Sequence, residues 1–289
     1  MITLRAADLL RPRFFLGVLR QRLTAKAATI TRRNVRVSIG STIPPLLIPG
    51  NDILVRFLRE DDFERNEREL VTRTLASGDT FVDIGAHVGL YTVMAGHLVG
   101  ETGVVVAVEP NPVTFATLEQ NVAAHNLYEV VRRRQIAVSD EVGTASLNVP
   151  MPRLAAWTSL GTPSVGVARS FTVPTTTLDE LLDGLKPFML KLDVEGWERR
   201  VVAGGRHVLA GNDAPHLLVE FSETRAESSG TTTSSLAEDL SELGFELFYY
   251  DSGRGRLEHE PRGATYERMK NVVASKRVDE LKARLARSA

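Results

Sequence analysis

A chain of 289 residues, 43% apolar and 25% charged, can hold one large domain with extensions or at most two small ones. Its formal charge of −1 argues against nucleic-acid binding through bulk electrostatics, which needs a broad basic surface. It has no cysteine, which excludes disulfides, thiolate metal sites and cysteine nucleophiles and fits a reducing compartment. No apolar run is long enough to span a bilayer, and the N-terminus lacks the apolar core of a secretory signal, so a cytoplasmic location is expected.

Residues 1–50 read as an extension. From Met1 to Arg36 the basic residues Arg5, Arg11, Arg13, Arg20, Arg22, Lys26, Arg32, Arg33 and Arg36 face a single acid, Asp8. Leu9, Leu10, Phe14, Phe15, Leu16, Val18, Leu19 and Leu23 alternate with them at helical spacing. Such a basic amphipathic helix suits peripheral contact with an anionic membrane; packing on the domain or on a second subunit is the alternative. Ile43 to Gly50, with three prolines, reads as a connector, because proline continues neither a helix nor a central strand.

The main domain is expected over residues 51–276. Asp62 to Ala76 reads as a helix ended by Ser77-Gly78-Asp79. Thr80-Phe81-Val82-Asp83-Ile84 then reads as a strand that meets an acid. It turns through Gly85-Ala86-His87-Val88-Gly89 and continues as a helix from Leu90 to Val99. Glycine lets the backbone approach a ligand or take positive φ, and the helix start offers N–H groups to a ligand. Val104 to Val108 is an apolar run ending in Glu109, as a strand buried on both faces should look. Pro110-Asn111-Pro112 breaks it before a helix from Val113 to His125. A third strand is expected to include Gln135 to Val138 and to end at Ser139-Asp140.

Residues 141–177 read as an insert over the site. Thr144–Val149 and Ser170–Val173 are short strands around a segment, 151–166, rich in Pro, Gly, Ser and Thr that holds Trp157. Leu178 to Leu185 is helical. In Phe188-Met189-Leu190-Lys191-Leu192-Asp193-Val194-Glu195, strand alternation puts Lys191, Asp193 and Glu195 on one side. Buried charges there need partners or a cleft. Trp197 to Leu209 is read as one helix, and His216 to Glu220 as a fifth strand ending in an acid. Leu236 to Leu243 is a helix, Phe245–Tyr250 and Asn271–Ser275 are the last strands, and residues 277–289 form a charged helical tail. Strands alternating with helices of this length predict a Rossmann-like, doubly wound α/β fold with a mostly parallel sheet of about seven strands.

The acids Asp83, Glu109, Asp140, Asp193 with Glu195, and Glu220 each fall at a strand end. Ligands of open parallel sheets bind outside those ends, so a site is expected there. Glu109, about twenty residues past the turn, is placed to accept from ribose hydroxyls. The turn lacks G-x-G-x-x-G, and an acid before it would repel a pyrophosphate but accept from an ammonium. S-adenosylmethionine therefore fits better than a dinucleotide.

Residues from about Phe63 to Glu220 resemble the FkbM family of S-adenosylmethionine-dependent methyltransferases. The resemblance is carried by Phe81-Val82-Asp83-Ile84-Gly85-Ala86-His87-Val88-Gly89, Val108-Glu109-Pro110-Asn111-Pro112 and Ala137-Val138-Ser139-Asp140. It continues through Thr177-Leu178-Asp179-Glu180, Lys191-Leu192-Asp193-Val194-Glu195-Gly196-Trp197-Glu198 and Glu220. It implies a class I methyltransferase sheet, with the glycine turn (Asp83, Gly85, Ala86, His87, Gly89) at the methionine part of the cofactor. Glu109 would then lie at the ribose and Ser139-Asp140 beside the adenine. His87 stands where the family often has Asn.

The expected reaction is O-methylation of a hydroxyl on a sugar, glycolipid or polyketide-type metabolite. Asp193 is the base or the residue that orients the acceptor, tuned by Lys191, with Glu195 and Glu220 completing the pocket; no metal is assigned. Three other readings stay open. An RNA 2′-O-methyltransferase could use the same Lys/Asp/Glu group, with Arg132-Arg133-Arg134 on phosphate. A nicotinamide-dependent oxidoreductase would share the fold, and a non-catalytic interaction protein could reuse the scaffold.

Overall fold

The computed structural model describes residues 34–39, 43–50, 52, 54–55, 63–150, 158–161, 167–261, 266 and 269–287. The basic helix expected within 1–36 lies almost wholly outside these residues, as do Asp62 and Trp157. No helix among the described residues is long and apolar enough to cross a membrane.

Strands β1 (Asn34–Ile39) and β2 (Ile43–Pro49) form an antiparallel two-stranded sheet rather than a connector. A two-stranded ribbon has only edge strands, where proline is tolerated, and this corrects the sequence expectation. The ribbon is tied to the body by its apolar residues, with Val37, Leu46 and Ile48 buried in the main core.

The body follows in chain order. Helix α1 (Arg65–Thr74) precedes β3 (Thr80–Ile84), α2 (Leu90–Val99), β4 (Val104–Val108), α3 (Pro112–Ala124) and β5 (Val131–Arg134). Next come β6 (Ala137–Ser139), β7 (Gly143–Pro150), β8 (Val167–Thr177), α4 (Leu178–Leu181) and β9 (Met189–Leu192). Then follow α5 (Glu198–Ala203), α6 (Arg206–Ala210), β10 (His216–Phe221), α7 (Glu223–Ser228) and α8 (Thr233–Glu242). The chain closes with β11 (Glu246–Asp251), β12 (Arg256–His259), β13 (Lys270–Ser275) and α9 (Val278–Arg287).

The central sheet has eight strands in the order β12-β11-β13-β10-β9-β3-β4-β5. The run from β10 to β5 is parallel, and β13, β11 and β12 are antiparallel. Strand alternation sorts its side chains into two cores. Phe81, Val105, Ala107 and Met189 join α1, α2, α3 and α9 on one face. Val82, Val106, Leu190 and Leu192 join α4, α5, α6 and α8 on the other. This is the doubly wound architecture expected, with one strand, β12, that the sequence reading did not include. Each fully buried Leu or Val contributes about 1.5–3 kcal/mol, so the sheet is a stiff platform for whatever its strand tips carry.

Two local expectations are corrected. The third strand of the sheet is Val131–Arg134, not 135–138: its ladder ends where Arg134 faces Val108, the last residue of β4. The chain then leaves the sheet, and Ala137–Ser139 pairs with Thr175–Thr177 in a separate three-stranded sheet of order β6-β8-β7. The single helix read over 197–209 is two, because Gly204 packs so closely on that sheet that a Cβ would sit 2.1 Å from the Ser139 carbonyl oxygen. The charged tail helix α9 is amphipathic and buries Leu281 and Leu285 in the core.

Asn121 of α3 joins several of these parts. Its Oδ1 accepts from Leu47 N at 2.7 Å, and its Nδ2 donates to the carbonyls of Leu47 at 2.8 Å and Val88 at 2.7 Å. One buried amide thus completes the hydrogen bonding of β2 and of the turn before α2.

Candidate functional site

The carboxyl ends of β3, β4, β9 and β10 open on one cleft of about 1150 Å³ that is continuous with solvent. Its acids are Glu64, Asp83, Glu109, Asp193, Glu195 and Glu220, and its cations are Lys191 and Arg225, with His87 at the turn.

The chain leaves β3 after Ile84 and enters α2 at Leu90. Gly85 and Gly89 have φ of 86° and 94°. A Cβ on Gly85 would lie 1.8 Å from the Asp193 carbonyl oxygen, and one on Gly89 2.6 Å from Leu118 Cδ1. These glycines take the positive φ expected of them and admit the tip of β9 and helix α3, and Gly85 also lines the cleft. His87, between them, has φ 50°, a left-handed value that Asn and His adopt more readily than most residues, so a His can stand there without breaking the turn. Four N–H groups of the turn are also engaged. Gly85 and Ala86 donate to Val108 O at 3.0 and 2.9 Å, His87 to Glu109 Oε2 at 2.9 Å, and Gly89 to Ala86 O at 2.8 Å. Asp83, buried at the end of β3, accepts from Thr92 Oγ1 at 2.6 Å.

Glu109 is buried at the end of β4, and its second oxygen accepts from Asn111 N at 2.9 Å. Burial raises its pKa, against the pull of His87 and of the two N–H donors. Each carboxylate oxygen keeps a further lone pair for a ligand. Ile136, Ala137, Val138 and Leu147 make an apolar wall of the same cleft. Ser139 and Asp140 do not line the cleft. Ser139 Oγ bonds Asp140 Oδ1 at 2.8 Å and accepts from Trp197 Nε1 at 3.0 Å, and Asp140 pairs with Arg200 at 2.9 Å. The chain's departure from the sheet at Arg134 puts them there, and only four of the five expected strand tips carry their acids to one place.

Strand β9 stops at Leu192, so the expected alternation ends there. Glu195 sits in a left-handed turn with φ 58°. Glu198 holds that turn, its Oε1 accepting from Val194 N at 3.0 Å and Gly196 N at 3.2 Å. The three expected side chains nevertheless converge on the cleft. Lys191 is buried, with Nζ 2.5 Å from Asp193 Oδ2 and 4.7 Å from the centre of the Tyr91 ring. Burial opposes its charge, but Asp193, Glu64 and Asp83 more than offset that and hold the ammonium above its ordinary range. Burial likewise opposes the charge on Asp193, yet Lys191 holds its carboxyl below the usual range. Glu220 is pushed well up by burial and by Asp193 and Glu198.

The oxygens of Asp193, Glu195 and Glu220 lie within 4.8 Å of one another, a spacing that suits a divalent cation. The guanidinium of Arg225 already pairs with Glu195 and lies 3.3 Å from Glu220, so a metal would have to displace it. Arg225 comes from α7, a helix absent from the sequence reading; the only local signal is a basic residue five positions after a strand-tip acid. Glu64 and Tyr91 were also missed. Glu64 precedes α1 in a left-handed conformation (φ 47°), and its carboxyl is raised to about 7 by burial, against Lys191. The Tyr91 hydroxyl interacts with it. Asp52, from the segment after β2, lies 3.3 Å from His87 Nε2.

The model of the methyltransferase FkbM domain matches residues 83–247. No curated protein matches the chain. Solved structures of similar outline include a methyltransferase FkbM from Methylobacillus flagellatus, 14% identical with a TM-score of 0.44; the match covers 89% of this chain but 59% of that one. A SAM-dependent O-methyltransferase from Thermotoga maritima is 15% identical over 73% of this chain and 64% of its own, with a TM-score of 0.41. Aeropyrum pernix fibrillarin, solved with S-adenosyl-L-methionine, is 14% identical over 72% and 73%, with a TM-score of 0.39.

Proposed function

The chain belongs to the FkbM methyltransferase family, and from that premise we propose that it transfers the methyl group of S-adenosylmethionine to a hydroxyl of a sugar, glycolipid or polyketide-type acceptor. The observation that carries the cofactor is Glu109, a buried carboxylate facing a cleft whose adjoining wall is apolar. That pairing fits a ribose diol next to an adenine. The excess of acids over cations fits a sulfonium and an ammonium and opposes a pyrophosphate.

Bound there, S-adenosylmethionine supplies an electrophilic methyl group; the chain supplies position and proton transfer. Asp193, kept ionised by Lys191, orients the acceptor hydroxyl. Glu195 and Glu220, bridged by Arg225, close the polar side of the pocket. Glu64, with a pKa of about 7, is matched to receive the hydroxyl proton near neutral pH.

Thermal shift with S-adenosylmethionine, S-adenosylhomocysteine and NAD tests the cofactor. A ligand at 100 times its Kd stabilises by about 2.7 kcal/mol. Stabilisation by NAD alone would sink the reading. A lipid-linked acceptor also fits the basic residues of 1–36. Co-sedimentation with anionic liposomes, comparing the full chain with one beginning at Asn34, tests that part; equal partitioning removes it.

A further inference from the structure

We propose that the His87 imidazolium, held by Asp52, seats the carboxylate at the amino-acid end of the cofactor, so that cofactor binding weakens as pH rises. The proposal rests on the S-adenosylmethionine reading above. That cofactor carries one anionic group, and most of the cleft repels it. Six acids line the cleft, and both cations are committed: Lys191 to Asp193, and Arg225 to Glu195 and Glu220. The N–H groups of Gly85, Ala86, His87 and Gly89 are spent on the chain's own oxygens. Among the described residues lining the cleft, that leaves the His87 ring as the cationic group with an edge to offer.

The geometry keeps it available. Nε2 lies 3.3 Å from Asp52 Oδ2, and the side chain is 18% exposed where the residue lines the cleft. Asp52 is fixed in turn, its side chain 1% exposed, with Oδ1 accepting from Leu54 N at 2.9 Å and its own N–H donating to Pro49 O at 2.8 Å. With Nε2 turned to Asp52, a protonated ring has Nδ1–H left to donate. The charges facing the ring are Asp52 from the segment after β2, Glu109 from the end of β4 and Asp193 from the tip of β9. Burial favours the neutral ring, but these three carboxylates outweigh it and raise the pKa above the ordinary histidine value. The imidazolium is therefore fully present below that raised pKa and is lost as pH climbs through it. Asp52 lies outside the stretch matched by the family model, so this arrangement joins the N-terminal ribbon to the cofactor turn.

Isothermal titration of the full chain from pH 6 to 8.5 separates the carboxylate from the rest of the ligand. The probes are S-adenosylmethionine and its decarboxylated analogue, which keeps the sulfonium and the amine. The ratio of their Kd values should shift by about tenfold against S-adenosylmethionine across that range, the worth of one charged hydrogen bond. The α-amine of S-adenosylmethionine titrates at about 8 and the analogue's amine at about 10, so part of the shift belongs to the ligand and is common to every variant. His87→Asn, which suits the left-handed turn, should remove the remainder, and Asp52→Asn should move that remainder to lower pH. A ratio independent of pH in the wild type, or an unchanged slope in His87→Asn, overturns the proposal. If neither probe binds at any pH, the cofactor reading itself fails and takes this proposal with it.

Discussion

The two ends of the central sheet carry similar charged residues and treat them in opposite ways. At the amino end, the chain supplies partners to the charged and titratable groups named here. Asp79 pairs with Arg284, Glu280 with Arg277 at 2.6 Å, and buried His216 bonds Ser275 Oγ at 2.9 Å through Nδ1. At the carboxyl end six acids face two committed cations, and several carboxyls are pushed away from their ordinary pKa. Matched charge is what a scaffold needs. An excess of acids in a cleft fits a ligand that completes it, which is the reading proposed above for the carboxyl end.

Substitutions at the open end should damage function most, with a stability cost wherever they orphan a buried partner. Asp193→Ala carries the largest expected effect, a loss of about 10²-fold in turnover with methyl-labelled cofactor, as expected when the acceptor is no longer oriented. Its S-adenosylhomocysteine affinity should stay within a few-fold, and near-normal turnover would show that Asp193 plays no part in the chemistry. Glu109→Gln turns an amide N–H toward backbone donors and removes the charge. It should weaken S-adenosylhomocysteine about 10–100-fold by titration calorimetry, and the buried donor left facing a donor should cost about 1–3 kcal/mol of stability. An unchanged affinity would detach Glu109 from the ribose.

At the closed end the expected cost is in stability alone. Burial first, then Arg277 and Arg284, lower the His216 pKa to about 3. The unfolded chain therefore takes the proton first, and the stability is full above the unfolded value near 6.5 and falls as pH drops toward 3. At pH 5 the loss is about 2 kcal/mol, read by urea titration. His216→Gln should lack this acid limb, and superimposable pH profiles of the two proteins would contradict it. The smallest effect is expected at Asp140→Asn. Its partly exposed pair with Arg200 is worth about 1 kcal/mol or less, and cofactor affinity should not change. A loss of affinity would return Asp140 to the site.

How far the sequence reached follows from what each element depends on. The turn from Asp83 to Gly89 and the acids at the carboxyl ends of β4, β9 and β10 were legible because apolar runs set strand ends and the ends of parallel strands converge. Asp140 was misplaced for the same reason: Ile136-Ala137-Val138 looks like a strand, and nothing local says that β4 has run out of partners at Val108. Arg225, Glu64 and Asp52 were not legible as site residues. Each reaches the cleft by tertiary packing, from a short helix, a left-handed residue before a helix, and a turn after a ribbon. The close packing at the glycines also lay beyond the sequence, since it is the Asp193 carbonyl and Leu118 that leave no room for a side chain.

The amide of Asn121 sets which neighbouring positions are free to vary. It grips Leu47 only by main-chain atoms, so the latch is indifferent to the side chain at 47 and tolerates drift along that part of the ribbon. At 121 itself there is almost no latitude: Asp is nearly isosteric, but it would aim a carboxylate at the Leu47 and Val88 carbonyls. The ribbon is thus fastened to α3 through its backbone, and grafting this domain onto another protein has to carry residues from Asn34 onward.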